Sequence, residues 1–179
     1  AAIVVLENIE TAQKRGAKIY AEIVGRGESN NLNDNFVNLE QEGTGIETAI
    51  RKAIDEAGVS PEDIDLIIPH GTGIPNDDKA EAKAIEAVFG EALNDTIVWP
   101  TKSMISNTAA ASGVIDVIAA VFAMNESKVP AAKNCDSKAD WCKLNISEQE
   151  QKRDIKYALS CSYTFGGQVA AIVLKKYDG

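Results

Sequence analysis

Apolar and polar positions along this chain recur with two periods, and the periods divide it into elements. Ile46, Ala49, Ile50, Ala53, Ile54 and Ala57 repeat at three and four, which predicts an amphipathic helix closed by Gly58. Over residues 17–24, Ile19, Ala21 and Ile23 alternate with Tyr20 and Glu22, a strand pattern. The apolar run 2–6 predicts an earlier strand that starts without a cap or turn, as if cut from a longer chain. Residues 7–16 read as a short polar helix ended by Gly16. Residues 25–45, with five asparagines and little periodicity, read as irregular. Ser60-Pro61-Glu62-Asp63 turns the chain into a strand over 64–68, and a brief strand follows at 96–98. Two more strands, 157–163 and 168–175, are joined by the turn Thr164-Phe165-Gly166-Gly167. Residues 130–156 between them and the last long helix are polar and aperiodic. Helix and strand signals alternate on both sides of residue 70, which predicts an α/β layered domain over residues 1–179.

One helix breaks the amphipathic rule. From Thr108 to Met124 nearly every position is apolar, which predicts a buried central helix, yet Asp116 lies inside it. A buried carboxylate costs several kcal/mol unless paired, roughly, so a cation must lie nearby, and Lys102 is the candidate. The other marked stretch is 67–81, which holds the single histidine, His70. An apolar run ends at Ile68, a glycine-punctuated turn follows, and Asp78 with Glu81 three residues on reads as a capping box ahead of Ile85, Val88 and Phe89. Strand, polar turn and helix in this order set side chains at the carboxyl end of a sheet.

Composition narrows the classes. A hydrophobic content of 45% in 179 residues suffices for one core. Net charge −9 and a pI near 4.7 argue against nucleic acid or an anionic membrane as partner, and confine docking of any acidic protein to a local Lys/Arg patch. No apolar run approaches the roughly 20 residues of a membrane span, and no signal-peptide pattern opens the chain. Cys135, Cys142 and Cys161 lack the close pairing of a zinc site, so reduced thiols in a cytoplasmic protein are expected, with no metal.

His70-Gly71-Thr72-Gly73-Ile74-Pro75, with Asp78 and Glu81 at fixed spacing, resembles the HGTxTP-x-x-D-x-x-E signature of elongating β-ketoacyl synthases. The resemblance runs through the chain. Residues 1–26 resemble the family's segment joining its two halves, and Thr101-Lys102-Ser103-Met104 resembles the TKSM before its second active-site histidine. Val129-Pro130 and Asn134 sit where the family has a proline segment, and Ser162-Tyr163-Thr164-Phe165-Gly166-Gly167 resembles its terminal SFGFGG turn. The resemblance implies the C-terminal half of a thiolase-like fold, a mixed sheet packed between helices. It implies decarboxylative condensation of an acyl thioester with malonyl-acyl-carrier protein in fatty-acid or polyketide synthesis. The phosphopantetheine arm belongs to the carrier protein, and no other cofactor is implied. The nucleophilic cysteine belongs to the N-terminal half, so that half and the carrier protein are implied partners, with a dimer in the complete enzyme.

The resemblance also assigns roles. His70 would donate an N–H to the oxygen that gains charge during decarboxylation. Where the elongating enzymes have a second histidine, this chain has Asn107, which resembles the Cys-His-Asn set of the initiating enzymes and chalcone synthases. The asparagine is equally suited to cap the long apolar helix. The family pattern gathers Lys102 with Asp78, Glu81 and the carboxylate at Asp116, an ion cluster that would hold His70 in register. Phe165, with Gly166 and Gly167, resembles the gate of the acyl pocket, against the plainer reading of core packing, and Thr164 in place of a family glycine stiffens that turn. Loss of the second histidine keeps open the alternative of a non-catalytic, chain-length-factor-like subunit.

Overall fold

The structure, a computed structural model, describes residues 1–33 and 39–179. Its centre is a five-stranded mixed sheet in the order β1(Ala21–Asn30), β7(Gln168–Lys176), β6(Tyr157–Tyr163), β2(Leu66–Ile68), β3(Ile97–Val98). β1 and β6 flank β7 antiparallel, while β6, β2 and β3 run parallel. A small antiparallel pair, β4(Lys128–Val129) and β5(Gln151–Lys152), lies apart, its first strand just before the long polar connection and its second inside it.

The pleat sends alternate residues to opposite faces, and each face carries a core. On one face Leu159, Cys161, Val169, Ala171 and Val173 meet α2(Thr44–Ala57) and α3(Pro75–Phe89). The predicted apolar positions of α2, Ile46 to Ile54, are all buried there, and Gly58 takes the left-handed conformation that ends the helix. On the other face Ala158, Ile172 and Leu174 meet α5(Ser112–Glu126) through Ala120, Ala123 and Met124. The short helix α1(Ile9–Lys14), capped by Asn8, lies on this side, and α4(Lys102–Ile105) follows β3.

Several expectations change. β1 runs through Gly25 and Gly27 to Asn30, inside the segment read as irregular. A Cβ on Gly27 would lie 1.9 Å from the Ala49 carbonyl oxygen, and one on Gly25 2.0 Å from that of Ala53. These glycines let helix α2 touch the strand. The rest of that irregular reading falls partly on residues 34–38, outside the described residues. The apolar run 2–6 forms no strand: it gains no ladder partner, and Ile3, Val5 and Leu6 stand exposed. Helix α3 begins at Pro75, whose fixed φ and missing N–H suit the first turn, so Asp78 is not its cap.

The apolar helix differs most. Of α5, only Ser112, Asp116, Ala120, Ala123 and Met124 are buried, and Phe122 is 63% exposed. With the 3₁₀ turn before it, Ala109–Glu126 gives 18 helical residues of mean hydropathy 1.4, long and apolar enough by length and composition to cross a membrane. Its outer side instead borders an apolar groove of about 1040 Å³, walled by residues 4–23, α5 and the sheet residues Ser160, Ser162, Ala170, Ile172 and Leu174.

Candidate active site at the carboxyl ends of the parallel strands

The three parallel strands deliver their next residues to one edge of the sheet. β2 leads to His70, β3 leads to Thr101 and Lys102, and β6 ends in Tyr163. His70 is buried, and its ring meets that of Tyr163 edge-on at 4.3 Å between centroids. Burial and, next, the positive charge of Lys102 pull its pKa down from 6.5 to about 4. The imidazole is therefore neutral at neutral pH and carries one N–H to donate.

Two carboxylates of α3 fix the loop that carries it. Glu81 accepts the backbone N–H of His70 at 2.7 Å with one oxygen and that of Gly71 at 2.9 Å with the other. Burial pushes its carboxyl up to about 7, against the lowering pull of those two donors. Asp78 accepts from the Gly73 N–H at 3.1 Å and from the Thr72 hydroxyl at 3.3 Å. Gly73 holds φ +82°, a conformation that favours glycine. Burial raises the Asp78 carboxyl as well. Both acids reach back to the turn before their helix, which explains the spacing read as a capping box.

Lys102 and Asp116 form a second unit. The ammonium sits 2.6 Å from one carboxylate oxygen, with the two side chains 4% and 1% exposed. The other oxygen accepts the Thr101 hydroxyl at 2.5 Å. The expected single cluster is thus two: Glu81 serves backbone N–H groups and makes no ion pair with Lys102, while Asp116 takes the lysine.

Among the described residues Asn107 and Phe165 make no hydrogen bond, ion pair or ring contact with His70. Asn107 is exposed, and its side-chain oxygen accepts from the Ala109 N–H and the Ser112 hydroxyl, each at 2.9 Å. Lying five residues before Ser112, it braces the 3₁₀ turn Ala109–Ala111 that leads into α5 and so does not cap that helix. Phe165 is 83% exposed in the Thr164–Gly167 turn, where core packing does not hold it, and Gly166 and Gly167 shape that turn. Thr101 and Tyr163 were missed by the sequence reading. The tyrosine was visible as the polar substitute for the first phenylalanine of SFGFGG. Among the described residues no group of three His, Cys, Asp or Glu side chains is placed to hold a metal ion. The thiol of Cys161 lies on β6, buried, with its pKa pushed far up by desolvation.

A mixed sheet between helices with its site at the strand ends is the ketosynthase fold. The chain superposes with TM-score 0.90 on a type II polyketide synthase acyl-carrier protein in complex with its ketosynthase bound to the hexaketide, at 30% identity over 96% of this chain and 42% of that one. The ishigamide ketosynthase/chain length factor gives 0.86 at 32% identity, covering 94% and 41%. A ketosynthase of the bacillaene synthase of Bacillus subtilis 168 shares the fold, with TM-score 0.84 at 21% identity. Residues 20–136 match the β-ketoacyl synthase C-terminal domain, and the chain belongs to that family. It is 40% identical over 179 residues to 3-oxoacyl-[acyl-carrier-protein] synthase 2 of Staphylococcus aureus, and 33% over 177 residues to that of Coxiella burnetii. These alignments cover 99% and 98% of this chain but 43% and 42% of the relatives, so the chain spans less than half their length.

Proposed function

We propose that this chain supplies the C-terminal half of a β-ketoacyl-acyl-carrier-protein synthase, an acyltransferase that performs decarboxylative Claisen condensation in the cytoplasm. The observation that carries the reading is the neutral His70, buried at the strand ends and held by Glu81 through two backbone N–H groups. Cleavage of the bond to the malonyl carboxylate releases CO₂ and moves the electron pair toward the thioester oxygen. The His70 N–H stabilises that oxygen without changing its own charge, and the Asn107 carboxamide adds a second donor when the two converge in the complete protein. The nucleophilic carbon then attacks the acyl thioester on the cysteine of the other half, and the thiolate leaves. Lys102 is paired by Asp116 and acts as a positioning group.

The missing half is the occupant of the open groove. Its apolar walls, the exposed Phe122 and the fraction of the relatives' length covered all support this. An acyl carrier protein delivers both substrates on its phosphopantetheine arm, and the assembled synthase is a dimer. Asn107 favours one rival, a non-catalytic subunit resembling a chain-length factor.

Malonyl decarboxylation and ketoacyl formation are the assays, with this chain joined to or mixed with an N-terminal half carrying the cysteine. The chain alone is expected to be inactive. In the assembly Asn107→Ala should lower decarboxylation roughly a hundredfold. An unchanged rate would overturn the donor role of Asn107, and an assembly without condensation would establish the rival.

A further inference from the structure

Among the described residues four buried side-chain polar atoms lack a hydrogen-bond partner, and two of them belong to rings in contact. One is Nδ1 of His70. The other is the Tyr163 hydroxyl, at the position where the family turn SFGFGG carries a phenylalanine. A buried polar atom left unpaired costs about 1–3 kcal/mol, so two orphans on touching rings need a common explanation.

We propose that Tyr163 is a positioning residue that fixes the tautomer of His70: its phenol O–H is donated to Nδ1, across one water or directly after a small ring rotation. One bond in this direction satisfies both orphans. The reverse, an Nδ1–H donated to the phenol oxygen, would leave the phenol proton unpartnered. With Nδ1 occupied as acceptor, the imidazole proton resides on Nε2, the one ring nitrogen that is not an enclosed orphan. Tyr163 remains a donor because burial and the carboxylates of Glu81, Asp78 and Asp77 all raise its pKa. A phenylalanine fills the same space but leaves the tautomer unset, so the hydroxyl is a feature of this chain's site.

The consequence for catalysis rests on the reading of His70 as an N–H donor, whereas the structural test does not. His70 is the only histidine, so selective ¹⁵N-histidine labelling of the 179-residue chain gives one pair of ring resonances. The expected spectrum at pH 7 shows an unprotonated, hydrogen-bonded Nδ1 and a protonated Nε2. Tyr163→Phe should raise the Nδ1–H population and so move Nδ1 upfield, toward the protonated position, with the fold unchanged by circular dichroism. A protonated Nδ1 in the wild type, or identical Nδ1 signals in wild type and Y163F, would overturn the proposal. Should Y163F fail to fold, the wild-type spectrum alone decides. In the assembled synthase Y163F should lower decarboxylation up to about tenfold, the worth of one hydrogen bond. Inactivity of the wild-type assembly would count against the proposed reaction and leave the tautomer result standing.

Discussion

The two faces of the sheet are built to different degrees of completion. Helices α2 and α3 close one face with a continuous core, and Gly25 and Gly27 let the α2 backbone rest directly on β1. Helix α5 covers the other with a narrow buried edge and leaves its remaining apolar surface on a groove of about 1040 Å³. The closed layer is fastened by packing and by polar contacts at its rim, among them the exposed Arg26–Glu56 pair and the Lys52 ammonium donating to the Glu28 carbonyl. The open layer is fastened by packing and by a buried ion pair, Lys102–Asp116. An uneven domain of this kind holds the site edge from one side while the other side stays open.

Breaking the open layer's fastening should produce the largest effect. Asp116→Ala leaves the Lys102 ammonium buried and unpaired, at a cost of roughly 3–5 kcal/mol. Replacing both residues together, Lys102→Met with Asp116→Leu, should recover most of that loss in a urea melt. A single variant as stable as the wild type would show that the pair fastens nothing.

On the closed face the matching test is Gly27→Ala, whose methyl group must push the α2 backbone away. Overpacking of this sort costs roughly 1–3 kcal/mol, read as a lower denaturation midpoint. No comparable penalty is expected from adding a methyl at Gly113 on the open layer, where the nearest atom is the Ser162 hydroxyl at 3.2 Å.

Where the layers meet the site, pH separates Glu81 from His70. The Glu81 carboxyl, raised to about 7, contributes stability fully below pH 4.5 and loses it as pH rises toward 7. His70, lowered to about 4, works in the opposite sense: the unfolded chain binds its proton near 6.5, so stability falls from there down to 4. Between pH 4.5 and 6.5 the two slopes oppose. Glu81→Gln should therefore uncover a rise in stability of up to about 1.4 kcal/mol per pH unit. A flat profile in the variant would place the proton elsewhere.

The smallest effect is expected at Phe122. Phe122→Lys should change the stability of this chain by no more than about 0.5 kcal/mol, because the side chain touches the groove and is mostly exposed. The same change should abolish association with an added N-terminal half on a gel-filtration column.

These differences also explain what could be read from the sequence. Helix α2, its Gly58 stop and the strand before His70 follow from local period, and the Lys102–Asp116 pair, 14 residues apart, from the cost of a buried charge. Gly25 and Gly27 misled because glycine usually marks a turn, whereas here Gly25 permits contact with Ala53 and Gly27 with Ala49, on a helix well removed in the chain. The apolar faces of residues 2–6 and of α5 signalled burial that this chain does not provide. Asp78 and Glu81 were found through spacing and at the right helix end, but read as capping the helix itself, whereas they hold the backbone N–H groups of the turn before it, which carry no sequence mark. Tyr163 lay inside a recognised motif, and its meaning appeared only when its ring was seen against His70.

The pairing of β1 with β7 has a consequence for synthesis. Ala21 lies opposite Lys176 and Asn30 opposite Gln168, so this ladder joins the first strand of the described chain to its last. At about 5–20 residues per second the ribosome needs roughly 7–30 s to bring β7 out after β1. Throughout that interval β1 is an unpaired edge, although α2, its packing partner, has already emerged. Such a delay invites chaperone contact and aggregation, and it predicts that a nascent chain stalled before residue 168 stays protease-sensitive at β1.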